Sequence, residues 1–376
     1  MTPAWPRTIA ADLSIGRIEV EIDRSLLSPE HLFGFAERLN PKRAFLFVSR
    51  VLGRDIPVAP SKIRAACNLL ASQIPADLPR PVLVVGMAEA AVGLGAGLHR
   101  AYVGDGDKVV YLSTTRHALG TPLLTQFQEE HSHAPLHLLH QPANPIEAQL
   151  VRHARSVILV DDEMSTGKTF INLTKALESA GLEHIERVVL ATLTDWSDGS
   201  AVAAIGPYAS SVSLLSGRYR WTPRVGIEPP VVLHVDVTGT GDYALDSHLD
   251  WGRLGVRRHR ARLASNARCR TGERILVLGT SEHVWEPFQL AEHLEKAGAD
   301  VRFSAVTRSP LAVGHSIERA LAFSDNYGLG IANFVYNIDP ADYDRIILCS
   351  ETPAEAVDPF LINALRPEIL SDKVSS

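Results

Sequence analysis

VILVDDEMSTGKT, residues 157–169, decides how this chain is read. Four apolar residues (Val157 to Val160) run into two adjacent aspartates, and a turn of small residues ends in Gly167-Lys168-Thr169. The tail looks like a nucleoside-triphosphate loop, but that loop needs a glycine five positions before the second glycine. Asp162 holds that place, no other glycine lies between Val157 and Gly167, and a carboxylate there would repel a triphosphate. What remains is a strand, an acidic pair at its carboxyl end, a hydroxyl-rich turn, and a helix with apolar positions Phe170, Leu173 and Leu177. Amides at the start of such a helix bind one phosphate through free N–H groups and the helix dipole. Two acids beside a monophosphate nest suit the hydroxyls of a sugar, or a metal held over them. The ligand implied is a sugar 5-phosphate.

This arrangement resembles the signature of type I phosphoribosyltransferases over thirteen consecutive positions. The bland alternative is a generic strand-turn-helix whose acids simply start a helix. The resemblance implies a substrate, 5-phosphoribosyl-1-pyrophosphate, with Mg²⁺ as cofactor and a nitrogenous base as acceptor. Asp161 and Asp162 would hold the ribose hydroxyls, directly or through water and the metal, and would stabilise positive charge on the sugar. Ser165, Thr166, Gly167, Lys168 and Thr169 would bind the 5-phosphate. Some members place an acid where Ser165 stands; here Glu163 lies two residues earlier, which puts purine-type base catalysis in doubt.

The whole chain is consistent with an enzyme of this kind. At 376 residues it is long enough for two domains of ordinary size. A net charge of −6 argues against dedicated bulk nucleic-acid binding. Cys67, Cys269 and Cys349 lie far apart, which fits a reduced, cytoplasmic setting without structural zinc. No run approaches the roughly 20 apolar residues of a membrane span, and the start has no apolar core of signal-peptide length.

Strands are expected at 16–22, from 44, and at 81–86, 108–112, 156–161 and 187–192, with a helix around 62–73. Strands alternating with helices predict a mostly parallel α/β sheet with ligands at the strands' carboxyl ends. After 215 the chain is dense in turn residues; a second α/β pattern opens near 274. The expected division is a phosphoribosyltransferase domain at 1–232, a connector with an arginine-rich segment at 233–272, and a smaller α/β domain at 273–376.

Four other stretches carry chemistry. In VVGMAEAAVGLGAGL (84–98) the Gly93, Gly95 and Gly97 spacing is not a dinucleotide fingerprint, and suits close helix packing instead. By resemblance, Gly86, Met87, Ala88, Glu89 and Ala90 face the pyrophosphate leaving group, where members often carry a non-proline cis peptide. In 111–141 the resemblance places a flexible loop over the transition state. Arg116 would neutralise charge on the pyrophosphate there, or else be an exposed loop arginine. His131, His133, His137 and His140 lack tight metal spacing and are expected on the solvated surface, with zinc a distant alternative. Asn40 to Arg43 and Ser49-Arg50 bracket an apolar strand, as contacts to a substrate in a hood or as plain strand ends. Residues 253–270 hold seven arginines and no acid; a basic helix offsetting acidic surface is expected, with RNA binding the rival.

Finally, Thr307-Arg308-Ser309-Pro310 follows a strand in SAVTRSPLAVGHS. After the acidic signature and the SGRYRW and TGTGDY segments, it makes the chain resemble a two-domain family in which a TRSP domain follows an orotate phosphoribosyltransferase-like domain. Members tend to be encoded near tellurite-resistance and stress-response genes, and the family usually dimerises. Thr307, Arg308 and Ser309 would bind an anion in the second domain, or form a structural turn. A nucleotide sensor on the same fold is the main alternative to a transferase.

Overall fold

The computed structural model describes Trp5 and residues 7–40, 43–102, 108–128, 136–226, 238–239, 241–243, 245, 251–259, 263 and 267–371. Pro41, Lys42, His131, His133, most of 227–250 and part of the arginine run lie outside these.

The first sheet has seven strands in the order Thr8–Leu13, Gly16–Ser25, Ala209–Pro223, Arg187–Asp195, Ser156–Met164, Val82–Gly86, Val109–Ser113. The first three pair antiparallel and the rest parallel, which is the mostly parallel α/β sheet expected. Residue pattern explains the division. Gly16–Ser25 alternates buried and exposed positions, as a strand with one wet face does. Val82–Gly86 and Val109–Ser113 are buried throughout, as parallel strands covered on both faces must be.

Lys168–Ser179 forms the expected helix and buries Phe170, Leu173 and Leu177 on one stripe, each worth about 2 kcal/mol. The strand before it is longer than its apolar run: Ser156–Met164 stays in register with its neighbour through the acids, Asp161 opposite Thr192 and Glu163 opposite Thr194.

A second, wholly parallel sheet runs in the order Asp300–Ala305, Arg274–Gly279, Arg345–Ser350, Glu368–Ser371. The two units share a core. Trp285 and Phe288, on helix Trp285–Lys296, are buried in one apolar cluster with Cys67 and Leu98 of the first unit. Arg100 reaches the buried Glu292 with two hydrogen bonds of 2.9 and 2.6 Å. Val58 pairs with Phe303 across the interface, and Arg38 pairs with Leu311. Among the described residues no helix is long and apolar enough to cross a membrane.

Candidate active site

Register brings the site together. Gly86 pairs with Val160 on one side and with Ser113 on the other, so Val82–Gly86 and Val109–Ser113 end at the level where the acids of the longer strand Ser156–Met164 begin. The loops that follow Gly86 and Ser113 therefore leave the sheet beside Asp161 and Asp162, and the turn after Met164 follows on the same side. They line one cavity of about 520 Å³. Asp161, Asp162, Ser165, Thr166, Gly167, Lys168, Thr169, Met87, Ala88, Glu89, Ala90 and Arg116 all border it, and so do Thr307, Arg308 and Ser309 from the second unit. Gly86 does not. It is buried behind the loop, where a β-carbon would come within 2.7 Å of the Ala91 carbonyl oxygen.

Gly167 is the residue that lets the turn after the acids form. It caps the helix with φ +70, in the left-handed region, and a β-carbon there would meet that of Ala201 at 2.2 Å. The first amides of the helix lack intrahelical acceptors, as at any helix start. Asp161 Oδ1 accepts the amide of Asp162 at 2.9 Å, and both carboxylates are partly exposed toward the cavity.

The turn after Gly86 contains a cis peptide between Ala88 and Glu89. Two of its amides are engaged within the protein: Met87 donates to the Val160 carbonyl at 3.0 Å and Ala88 to Thr114 Oγ1 at 2.8 Å. The Glu89 carboxylate at its tip is gripped from both sides. Arg54 Nη2 lies 2.6 Å from Glu89 Oε2, and Arg308 Nε lies 3.0 Å from Glu89 Oε1.

Arg116 is buried rather than held on an exposed loop. Its amide donates to Glu282 Oε1 at 2.7 Å and its guanidinium to the Leu136 carbonyl at 3.0 Å. The expected loop is an antiparallel hairpin, Leu123–Gln128 with Leu136–His140. His137 and His140 are buried too, against the expectation of solvated rings. Phe127 stacks on His137 at 4.7 Å, and Thr114 Oγ1 lies 2.9 Å from His137 Nδ1. Residues 137–140 are buried one after another, so this strand is covered on both faces, which no local spacing of the histidines signals. Among the described residues no three of His, Cys, Asp and Glu cluster to hold a metal by themselves.

The arginine run also departs from its expectation. Its described residues, 253–259, 263 and 267–270, lie in turns, bends, a bridge and irregular chain, not in a helix. Residues 252–256 instead hydrogen-bond along the edge strand Val109–Ser113, with Tyr111 and Val256 exchanging both bonds. Arg253 is buried between two carboxylates. Its Nε meets Glu282 Oε2 at 3.0 Å, and its two terminal nitrogens meet Glu351 at 2.8 and 2.9 Å. Burial alone would raise the Glu282 carboxyl, but Arg253, with bonds from Thr115 and the Arg116 amide, holds it down at about 2.

Several cavity residues had no sequence signal. Arg54 and Asp55 follow Gly53 on a loop, and neither motif nor periodicity marks them. Burial raises the Asp55 carboxyl to about 6, although Arg54 opposes it. The wall opposite is aromatic. Phe45, Phe47, Tyr219 and Trp221 line it, with Phe45 5.3 Å from Tyr219 and 5.0 Å from Trp221. Arg43 sits 4.7 Å over the Phe45 ring and bonds to Glu163 Oε1 at 2.6 Å, so the hood arginine and the acid beside the signature neutralise each other.

A mostly parallel sheet with one cavity at the carboxyl ends of its strands is the frame of an α/β enzyme, and the sequence comparisons supply the class. Residues 32–217 match the family described as "Phosphoribosyl transferase", and residues 251–365 match "TRSP domain C terminus to PRTase_2". The chain belongs to this two-domain family, and its first domain is a phosphoribosyltransferase.

Among solved structures it is similar to adenine phosphoribosyltransferase from Rhodothermus marinus, at 18% identity over 51% of this chain and 97% of that one, TM-score 0.35. The Giardia lamblia enzyme complexed with 9-deazaadenine is 19% identical over 50% and 97%, TM-score 0.37. A hypoxanthine phosphoribosyltransferase from Staphylococcus aureus is 15% identical over 43% and 77%, TM-score 0.27. Scores this low say nothing of substrate. No curated protein matches the chain.

Proposed function

We propose that the cavity transfers the phosphoribosyl group of 5-phosphoribosyl-1-pyrophosphate to a nitrogen of a base. The bond from C1 to the pyrophosphate oxygen breaks and its electron pair leaves with pyrophosphate. A base lone pair forms the new C1–N bond, and the nitrogen releases its proton. One observation carries the reading: an acid pair, a helix-start phosphate turn and the Glu89–Ala90 turn border a single cavity of about 520 Å³, within the range of small-ligand sites.

The chain's own part is positioning and electrostatics. Helix-start amides, Thr169 and Lys168 hold the 5-phosphate. Asp161 and Asp162 take the ribose hydroxyls and face the positive charge that spreads over C1 and the ring oxygen. With the Met87 and Ala88 amides engaged inside the protein, Glu89 and Ala90 are the cradle candidates for pyrophosphate. The aromatic rings of Phe45, Phe47, Tyr219 and Trp221 on the cavity suit contact with a planar base.

Two half-exposed carboxylates, without a third ligand clustered beside them among the described residues, fit Mg²⁺, which is usually held by one or two carboxylates, several waters and substrate phosphates. Asp161 and Asp162 would hold it, and when bound it would neutralise pyrophosphate charge.

The test is incubation of the protein with the sugar pyrophosphate, Mg²⁺ and a panel of nitrogenous bases. Pyrophosphate release with one of them is expected. Tight sugar-pyrophosphate binding without release from any base would favour the sensor instead. RNA binding finds less support, since Arg253 is enclosed by Glu282 and Glu351.

A further inference from the structure

We propose that the TRSP tetrapeptide is a working part of the transferase site: Arg308, with Arg54 beside it, takes the pyrophosphate half of the activated sugar. The second domain is then neither a separate enzyme nor a remote regulator, but one wall of the same pocket. This rests on the transferase reading above.

Placement comes first. Thr307, Arg308 and Ser309 leave the carboxyl end of strand Asp300–Ala305, where ligands gather in parallel sheets, and they border the cavity that Asp162 and Lys168 border. The tetrapeptide is also shaped to present its middle residue. Thr307 Oγ1 accepts the Ser309 amide at 3.1 Å, and the Ser309 carbonyl accepts the Tyr336 hydroxyl at 2.7 Å. That turn is firm, so Arg308 projects from a fixed base.

Charge comes second. Glu89 at the tip of the pyrophosphate turn is flanked by two guanidinia, Arg54 at 2.6 Å and Arg308 at 3.0 Å. Asp55 beside Arg54 is a second acid there and Arg38 a third guanidinium, so three cations face two carboxylates on that wall, and both Arg54 and Arg308 are almost wholly buried, where screening is weak. A multiply charged anion is the ligand such a wall favours. Guanidinium forks also match phosphate oxygens in pairs. With Lys168 on the helix-start turn and Arg54 with Arg308 on the Glu89 turn, the cavity has two cationic stations for the two phosphorylated ends of one sugar.

Two further observations point the same way. The Ser309 hydroxyl is out of solvent and has no hydrogen-bond partner among the described residues. A buried hydroxyl in that state is costly unless a ligand supplies the partner. The second unit also sets Arg54 in place: Ser304 Oγ donates to the Arg54 carbonyl at 2.8 Å, beside the Val58–Phe303 pairing. Both cations of the station therefore depend on the strand Asp300–Ala305.

The experiment is titration calorimetry on the full chain with Mg²⁺, using 5-phosphoribosyl-1-pyrophosphate, inorganic pyrophosphate and ribose 5-phosphate as separate probes. Arg308→Gln should weaken the first two by at least about tenfold, as loss of a charged hydrogen bond does, and leave ribose 5-phosphate unchanged. Arg308→Lys should recover part of the loss. Ser309→Ala should weaken pyrophosphate while sparing ribose 5-phosphate. If Arg308→Gln does not melt cooperatively, the Lys and Ser309→Ala variants decide. Wild-type affinity for all three probes in the variants, or an equal loss on all three, overturns the proposal. Wild-type protein that binds ribose 5-phosphate but not pyrophosphate sinks this proposal alone. Wild-type protein that binds none of the probes sinks the transferase reading with it.

Discussion

The backbone amide of Arg116 donates to Oε1 of Glu282 at 2.7 Å, across 166 positions of chain. Oε2 of the same carboxylate takes the Thr115 hydroxyl at 2.5 Å and Arg253 Nε at 3.0 Å. Thr115 follows the carboxyl end of a strand in the first sheet, and Glu282 follows one in the second. The functional ends of the two sheets are thus turned toward each other, and a cavity residue of one is positioned by a side chain of the other.

Glu282→Gln tests that link. Removing one charge of a buried pair leaves the other short of compensation, at a cost of about 3 kcal/mol. The Glu282 carboxyl sits at about 2, below its ordinary 4.5. Its contribution is full above 4.5 and is lost as pH falls toward about 2, so the gap between the wild type and the variant should narrow over that window. Urea unfolding at pH 7 and at pH 3 measures both. Equal midpoints at pH 7 would remove Glu282 from its structural role.

Asp161→Asn combined with Asp162→Asn should lower turnover by about a hundredfold or more, with unfolding free energy changed by no more than about 1 kcal/mol. Both carboxylates are partly exposed at the cavity, so neither holds the core. An unaltered rate in the double variant refutes the acid-pair assignment.

Asp55→Asn should act in the opposite sense on stability. Burial raises its carboxyl from 3.8 to about 6, against Arg54 and Arg38 and with Asp162 and Glu89 nearby. A raised acid contributes its stability below 3.8 and loses it as pH rises through about 6. The variant should therefore exceed wild type by up to about 3 kcal/mol at pH 8, and match it near pH 4. Thermal unfolding at the two pH values is the check; a variant no more stable at pH 8 would mean that Asp55 is well solvated.

Gly95→Ala probes the packing under the turn that follows Gly86. A β-carbon there would come 2.9 Å from the Gly86 α-carbon and 2.9 Å from Tyr111 Cε2. Overpacking of this kind costs about 1–3 kcal/mol, against a helix-propensity gain of about 1 kcal/mol. The Gly86 backbone cannot swing aside, so a net loss is expected in the urea midpoint. A more stable variant would show that the helix has room to retreat.

The strand, the acids, the turn and the helix of 157–169 could be read from the chain because each signal is local. An apolar run, a glycine and a stripe at helical spacing act on their neighbours in sequence, and Phe170, Leu173 and Leu177 are buried together as that stripe requires. The second α/β pattern from 274 was legible on the same grounds. Exposure of the polar residues was not. The arginine run looked like a basic surface because nothing near it is acidic, yet Arg253 is neutralised by Glu282 and Glu351, 29 and 98 positions away. His137 and His140 turned inward for a comparable reason, since the hairpin that buries them is made by pairing rather than by periodicity.

By itself, then, the sequence determined the local elements and the acid pair with its glycine turn at one strand end, because those depend on residues in contact along the chain. Only the tertiary structure decided what completes the cavity. Arg54 with Asp55, Glu89, and Arg308 come from three separate loops, and the pairing of both arginines with Glu89 requires the second sheet to be folded against the first. The attraction between charges depends on distance and dielectric, and for groups this far apart in sequence only the folded chain sets either.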